Sequence, residues 1–364
     1  MLRSCLRAAV LCIALPAAAT DSAGWQACMA LADAGARLAC FDRWAQSAAP
    51  AQPAAVPEPV PQQPQPVAQA PAAGPPSAGG CHDRRSTELS RFWELEAASD
   101  CGTFDIRGYR AISLSVVKGN VVNTEPKSGN PANSAPTAQD YGTTETRLQL
   151  SVRTKLAANL LTRANPAISD SLWFGYTQQS YWQVFNGGIS RPFRSTDHEP
   201  ELIYVYPSDY TMPAGWRLRY TGLGVVHQSN GQTLPLSRSW NRVYLMAGAE
   251  HARGVRLQGR VWRRLPESSD DNPGISDYIG RAELVASWDV NRQNVLAATL
   301  RHSLSHSSRG SLRLEWLRAI GTDSRGAPAG LRLHTQLFSG YGDSLLDYNF
   351  RRTVLSVGLS LVDW

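Results

Sequence analysis

Leu223-Gly224-Val225-Val226-His227-Gln228-Ser229-Asn230-Gly231 is followed, after a five-residue connection, by Ser237-Arg238-Ser239-Trp240-Asn241-Arg242-Val243-Tyr244-Leu245. Leu223, Val225, His227 and Ser229 share one parity, and the two-residue period of an extended chain places them on one face of a strand. Asn241, Val243, Leu245 and Ala247 repeat the alternation in the returning direction, as the second strand of a hairpin does. A hairpin closed between residues 230 and 238 therefore sets His227, Ser229 and Asn241 close together on one face. A hydroxyl, an imidazole and a carboxamide so arranged can serve as nucleophile, general base and the group that holds the base. The alternative reading is a polar loop that merely contains a His and a Ser.

The same texture continues on both sides of this hairpin. From Cys101 onward about twelve alternating runs can be counted, near residues 108–118, 143–154, 171–184, 200–208, 215–228, 239–250, 253–264, 277–289, 292–301, 309–318, 331–340 and 352–362. Leu148, Leu150 and Val152 alternate with Gln149, Ser151 and Arg153; Leu355, Val357, Leu359 and Leu361 alternate with Ser356, Gly358 and Ser360. Apolar-out, polar-in alternation over roughly ten residues is the signature of a strand in an outer-membrane barrel. An even number of strands closes the sheet without an edge, which a bilayer demands because unpaired backbone groups find no water there. The expected fold class is all-β: a 12-stranded antiparallel transmembrane β-barrel over residues 104–364. It is preceded by a small disulfide-linked helical segment and a Pro/Ala-rich linker.

Composition agrees. The 364 residues are long for one domain, yet large barrels reach such lengths. Hydrophobic residues make up 43% and the mean hydropathy is −0.29. No internal segment holds the ~18 uninterrupted apolar residues of a helical span, so a helical membrane protein is excluded. The 11 Trp and 12 Tyr suit interfacial aromatic girdles. A net charge of +6 with dispersed Arg does not describe a nucleic-acid binder. Short turns such as 212–215 and 251–252 would face the periplasm, and longer polar loops (119–142, 185–199, 229–238, 265–276) would face outward. That alternation puts the His227/Ser229 tip at the outer rim with Leu223 and Val225 toward lipid. A hydrolytic site there meets the esters of the outer leaflet, whereas a lumen-facing set would meet soluble solutes. Lumen Arg, Glu and Gln are expected to form a hydrogen-bonded plug, since about twelve strands leave a narrow interior.

Residues 1–19 read as a secretory signal: Arg3 and Arg7, an apolar run from Ala8 to Leu15, then Pro16 and the small-residue site Ala17-Ala18-Ala19. Its removal discards Cys5 and Cys12 and leaves four cysteines, Cys28, Cys40, Cys81 and Cys101. An even number in an exported chain points to disulfides. Of the three possible pairings, Cys28–Cys40 with Cys81–Cys101 gives the most local closures; free thiols are the alternative. Residues 20–47 form a small module, with Trp25, Met29, Leu31, Leu38, Phe41 and Trp44 spaced as in a short helical pair. Residues 48–80 are a semi-rigid extended linker rich in Ala, Pro and Gln, and 81–103 lead into the barrel. Trp364, directly after an amphipathic strand, looks like the terminal aromatic read by the outer-membrane assembly machinery.

His-x-Ser-Asn-Gly, five residues, then Ser-Arg-Ser-Trp-Asn-Arg resembles outer membrane phospholipase A, the integral serine hydrolase of Gram-negative outer membranes. The likeness extends to Tyr176-Thr177-Gln178, to Ser190-Arg191-Pro192-Phe193-Arg194, to Asp270-Asp271-Asn272-Pro273, and to Ser339-Gly340-Tyr341-Gly342-Asp343-Ser344-Leu345-Leu346-Asp347-Tyr348-Asn349. The resemblance implies a phospholipase with A1, A2 and lysophospholipase activity on membrane phospholipids, dependent on Ca²⁺ and activated as a homodimer. By that resemblance Ser229 is the nucleophile, His227 the base and Asn241 its orienting partner. The Gly231 backbone N–H, just after the nucleophile, is placed to serve an oxyanion. The implied Ca²⁺ ligands are the Ser237 side chain, the Gln232 carbonyl and, from the other protomer, Ser190; the family often has Arg where this chain has Gln232. Gln178 is implied to hydrogen-bond across the dimer, although parity alone also allows a lumen-lining Gln.

Other conspicuous residues carry blander readings. Asp270-Asp271-Asn272-Pro273 could bind a cation but reads rather as a solvated loop with an Asn-Pro turn, and Asp343 and Asp347 read as a structural turn. His302 and His306 have His-x-x-x-His spacing but lie in a Ser-rich connection between strands and lack the Glu of a zinc-protease motif. With His251 and His334 they read as surface, loop or lumen groups. Two rival functions remain at this stage. One is a deacylase of lipid A or another outer-membrane ester, and the other is a non-enzymatic barrel.

Overall fold

The protein is described here by a computed structural model covering residues 24–48, 80–82, 85–165, 167–322 and 330–361. The expected signal segment, most of the linker and Trp364 lie outside the described residues. Two units separate, residues 1–72 and 73–364. In the first, α1 (Gly24–Met29) and α2 (Ala34–Ala48) are tied by a Cys28–Cys40 disulfide. Asp33 opens α2 by accepting the Ala36 N–H at 2.8 Å, satisfying one of the donors a helix start leaves without a partner.

The second unit is a closed sheet. Its strands are β1 (Ile106–Gly108), β2 (Ile112–Gly119), β3 (Thr144–Ala158), β4 (Ser171–Trp182), β5 (Ser195–Thr211), β6 (Trp216–Ser229) and β7 (Ser239–His251). They continue as β8 (Val255–Arg264), β9 (Ala282–Asp289), β10 (Asn294–His302), β11 (Gly310–Ala319), β12 (Leu331–Gly340) and β13 (Arg352–Leu361). Sequence neighbours from β2 onward pair antiparallel, and β13 pairs with β2 to close the ring. β1 and β2 lie end to end along β3, with Ile106 opposite Thr154 and Ser113 opposite Gln149. They are one strand interrupted at 109–111, so twelve strands surround the barrel as expected. No helix among the described residues is long and apolar enough to cross a membrane.

Two boundaries differ from the sequence reading. β5 runs from Ser195 to Thr211 rather than over 200–208, which brings His198 into the wall. The run expected at 277–289 starts instead with a helical turn, α4 (Ile275–Tyr278), and becomes strand only at Ala282. The cause is packing: Ile275 and Ile279 are buried against Trp240, Leu345 and Tyr348 in an apolar cluster at the loop-bearing end.

The outer face is apolar and exposed, with Leu223, Val225 and Leu245 at 48%, 45% and 63% exposure. The inner face is charged and paired. Arg110 meets Glu199 at 2.7 Å, Arg301 meets Glu283 at 2.8 Å, and His334 meets Glu315 at 3.0 Å. On the lumen side of the β6–β7 hairpin, Tyr220 faces Gly248 and Tyr244 faces Gly224 in register. A Cβ at Gly224 would come within 2.4 Å of the Tyr244 ring, so these aromatic rings lie where only glycine leaves room.

The segment expected to lead into the barrel goes further and enters it. α3 (Glu88–Trp93) is capped by Thr87, whose side chain accepts from Ser90 N, and ends at Glu94 in a left-handed conformation. Trp93 packs edge-on against Trp173 and Tyr220, with ring centroids 5.9 and 5.7 Å away. Glu88 pairs with Arg256 at 2.7 Å, Glu94 with Lys155 at 2.5 Å, and Glu96 with Arg219. All these partners sit at the short-turn end, so residues 88–96 stopper the lumen opposite the long loops. The Cys81–Cys101 disulfide brackets that stopper.

Candidate active site

The hairpin of β6 and β7 closes where the sequence placed it. Asn230 N donates to the Arg238 carbonyl at 3.0 Å, and the Asn230 side chain accepts Arg238 N at 2.9 Å and donates to the Leu236 carbonyl at 2.7 Å. One buried Asn thus ties the two ends of the 230–238 loop together. Gly231 follows with φ +62°, a left-handed conformation that favours glycine.

Register pairs His227 with Asn241 and Ser229 with Ser239. His227 Nδ1 lies 2.9 Å from Asn241 Oδ1. His227 and Asn241 share the outward parity of Leu223 and Val225, while Val226, Trp240 and Arg242 of the other parity are buried. The contact requires Nδ1 to carry the proton, which leaves Nε2 as the acceptor nitrogen on the face that Ser229 shares. A neutral amide beside an apolar surface avoids the desolvation that an unpaired carboxylate would suffer.

The other expected site residues separate into two loops. Gln232 and Ser237 lie on the 230–238 loop; Gln232 Nε2 donates to the Arg194 carbonyl at 3.2 Å, stitching that loop to 183–194. Ser190 lies on the latter, where its carbonyl accepts the Trp182 indole N–H at 2.7 Å. Ser237 Oγ donates to Asp271 Oδ2 at 2.6 Å. The 270–273 turn is therefore not the solvated loop expected from sequence. Asp270 is bound by Arg264 at 2.7 Å, Asn272 is fully buried, and Asn272 Oδ1 accepts Ser239 N at 3.0 Å. It is a clamp on the rim, held because it meets the end of β7. An all-oxygen set of Ser237 Oγ, a backbone carbonyl and a nearby Asp271 carboxylate fits a hard divalent cation such as Ca²⁺. Burial pulls the Arg238 guanidinium below its ordinary basicity, with Tyr348 and Asp271 opposing.

Gln178 lies outward on β4, beside Tyr176 and Ser180, which excludes the lumen-lining alternative. Tyr176 Oη is 2.8 Å from His198 Nδ1, and His198 stands opposite Ser229 in register. Asp343 and Asp347 are structural, as expected. Burial alone would raise the Asp347 carboxyl, but the Arg194 and Arg352 guanidiniums hold it below the ordinary carboxylate range. For Asp343, Arg352, Arg147 and Arg313 likewise outweigh burial. His251 caps a turn through the Ala214 carbonyl, His302 accepts the Leu304 N–H, His306 lies in the turn after β10, and His334 lines the lumen.

Sequence reasoning did not single out Glu267, His198 or Asp271 as members of this neighbourhood. Asp271 stood in a motif already quoted; the others carry no local signal, because strand pairing and a loop excursion bring them in.

A closed antiparallel barrel with an apolar outer belt and a charged, plugged interior is an integral outer-membrane protein. The family described as phospholipase A1 matches residues 89–361. A putative phospholipase A1 of Neisseria meningitidis is 37% identical over 287 residues, covering 76% of this chain and 70% of that protein. Enterobacterial phospholipases A1 such as that of Escherichia coli match over a shorter stretch, 61% of their length. Among solved structures, the calcium-bound dimer of Salmonella typhi outer membrane phospholipase has 32% identity and a TM-score of 0.61, covering 71% of this chain and 93% of that one. An active-site asparagine-to-alanine mutant of the Escherichia coli enzyme matches with 32% identity and a TM-score of 0.62, over 72% and 94%. The chain belongs to the phospholipase A1 family of Gram-negative outer membranes, and is a carboxylic ester hydrolase by that membership.

Proposed function

We propose that this chain hydrolyses acyl esters of phospholipids through Ser229, His227 and Asn241. In this reading it is calcium-dependent, active as a homodimer, and has A1, A2 and lysophospholipase activity with its site facing the outer leaflet. The carrying observation is the 2.9 Å contact of His227 Nδ1 with Asn241 Oδ1, on the lipid-facing side of the strand that bears Ser229. The active-site asparagine named for the Escherichia coli mutant is consistent with a role for Asn241.

Ser229 Oγ attacks the ester carbon as His227 Nε2 accepts the hydroxyl proton. Asn241 Oδ1 receives the Nδ1–H, fixing the ring and its tautomer. The Gly231 N–H faces the developing oxyanion. His227 then returns the proton to the departing lysolipid oxygen, and water releases the fatty acid by the reverse sequence. Gln232 through its carbonyl, Ser237 through Oγ and Ser190 of the partner subunit would hold Ca²⁺. A bound Ca²⁺ supplies a positive charge that polarises the ester carbonyl. The outward Gln178 would join two barrels within the membrane, where polar groups hold neighbouring elements together. The Salmonella typhi relative, a dimer with bound calcium, supports both assignments. Activity would then follow the monomer–dimer equilibrium, with the monomer idle.

The test is labelling with a sulfonyl fluoride in detergent micelles, with and without Ca²⁺, followed by mapping of the modified residue. Label on Ser229 that requires Ca²⁺, with chelator-sensitive release of fatty acid from diacyl phospholipid, is the expected result. Label on another residue, or calcium-independent release, overturns the assignment.

A further inference from the structure

Asn241 is held on both sides. Its Oδ1 faces His227, and its Nδ2 donates to Glu267 Oε1 at 2.6 Å. Glu267 is delivered by the rim: Leu265 N donates to the Asn241 carbonyl at 2.8 Å, extending the β7–β8 ladder beyond β8, and the chain then folds back at Pro266. The second carboxylate oxygen, Oε2, accepts Arg264 Nη2 at 3.1 Å. Arg264 is itself fixed by Asp270 at 2.7 and 3.0 Å. The Glu267 side chain is 13% exposed.

We propose that Glu267 is a positioning residue for the hydrolytic site, acting on His227 through Asn241. This rests on the reading of Ser229, His227 and Asn241 as the catalytic trio. The chemistry is that of donors and acceptors. A carboxamide can present either its oxygen or its NH₂ to a neighbouring ring. With NH₂ toward His227, Nδ1 would be the acceptor, Nε2 would carry the proton, and the ring could not take the Ser229 proton. An ionised carboxylate only accepts, so Glu267 draws the Asn241 NH₂ to its own side and leaves Oδ1 for the imidazole. It thereby selects the tautomer with the basic nitrogen toward Ser229. Its negative charge, one amide removed, also favours the imidazolium that forms as the proton moves. The trio gains an anion without exposing an unpartnered carboxylate to lipid, because Oε2 is held by Arg264, whose own charge is shared with Asp270. Other charged or titratable groups around this hairpin include Arg264, Asp270, Asp271 against Ser237, Arg238 and Arg242 of the hairpin itself, Arg263 opposite Val243 and, across β6, His198.

The experiment uses the full chain in detergent micelles with Ca²⁺ and a diacyl phospholipid, with heat-modifiable mobility as the check on folding. Glu267→Gln keeps the shape, removes the charge and restores the ambiguity of the amide. The expected result is a kcat lowered about tenfold, with KM within about twofold. The acidic limb of the kcat/KM profile moves to lower pH, because the imidazolium loses a stabilising anion. In an Asn241→Ala background the same change has no further effect. A role confined to loop structure would raise KM or lower the melting temperature and leave the acidic limb in place; that outcome overturns the proposal. With Ser229→Ala inactive, an unchanged Glu267→Gln enzyme overturns this inference alone. A fully active Ser229→Ala enzyme removes the trio and this inference with it.

Discussion

The outer rim and the lumen of this barrel divide chemistry and charge in opposite ways. The lumen holds a cavity of about 290 Å³ lined by Arg, Glu, Asp and Gln, which on a soluble enzyme would be the first place to seek a site. Its charges are instead spent on one another and on the loops above. Arg194 and Asp347 are fully buried 3.0 Å apart, and Arg352 binds Asp343 at 2.7 Å. The rim trio sits on the outside, where a soluble protein would read as merely polar surface. The difference follows from the solvent. Lipid is outside, so under the proposed function the groups that act on lipid leave the lumen, and the charges that cannot face lipid must fill it.

Four changes break or sharpen that contrast. The largest effect belongs to the rim: Ser229→Ala and His227→Ala should each reduce fatty-acid release by at least about 10³-fold. The folded, heat-modifiable barrel should persist, because neither side chain supports the core. Asp347→Ala attacks the buried charge network of the loops above the lumen and should do the reverse. Arg194 keeps Glu145 at 2.6 Å and Arg352 keeps Asp343 at 2.7 Å, so losing the carboxylate between them should cost about 1–3 kcal/mol, read as a lower thermal midpoint. Turnover per folded molecule should stay within a few-fold.

Next comes Asn241→Ala, which removes orientation and leaves both reacting groups. About a tenfold to hundredfold loss in kcat with unchanged thermal stability is expected. The smallest effect is pH-dependent. The folded-state carboxyls of Asp343 and Asp347 lie below their unfolded values. Their contribution is therefore fully present above the ordinary Asp value of about 4 and is lost as pH falls through the folded-state values. Their share of the thermal midpoint, read as the difference between the parent chain and Asp347→Ala, should be constant down to about pH 4 and fall below it.

Legibility in the sequence followed the range of the interactions. The odd parity of Leu223, Val225, His227 and Ser229 needed only the strand period, and the structure keeps it; the hairpin closure at residues 230 and 238 needed only a short loop. Residues 277–281 were misread as strand, because Ile275 and Ile279 answer to Trp240 and Tyr348, far away in the chain. The same reason hid the stopper: Trp93 is apolar and conspicuous, but nothing near it in sequence says that its partners are Trp173 and Tyr220. Asp271 was read as solvated because its partner, Ser237, is 34 residues distant.

Sequence alone thus determined a twelve-strand barrel with a hydroxyl, an imidazole and a carboxamide on its lipid-facing hairpin, since period and turn are properties of neighbouring residues. Only the tertiary structure decided that Glu267 stands behind Asn241, that the 270–273 turn clamps the rim, and that residues 88–96 close the lumen. Those contacts form only when the ring closes and loops from separate hairpins meet at one end, a condition no local stretch of chain encodes.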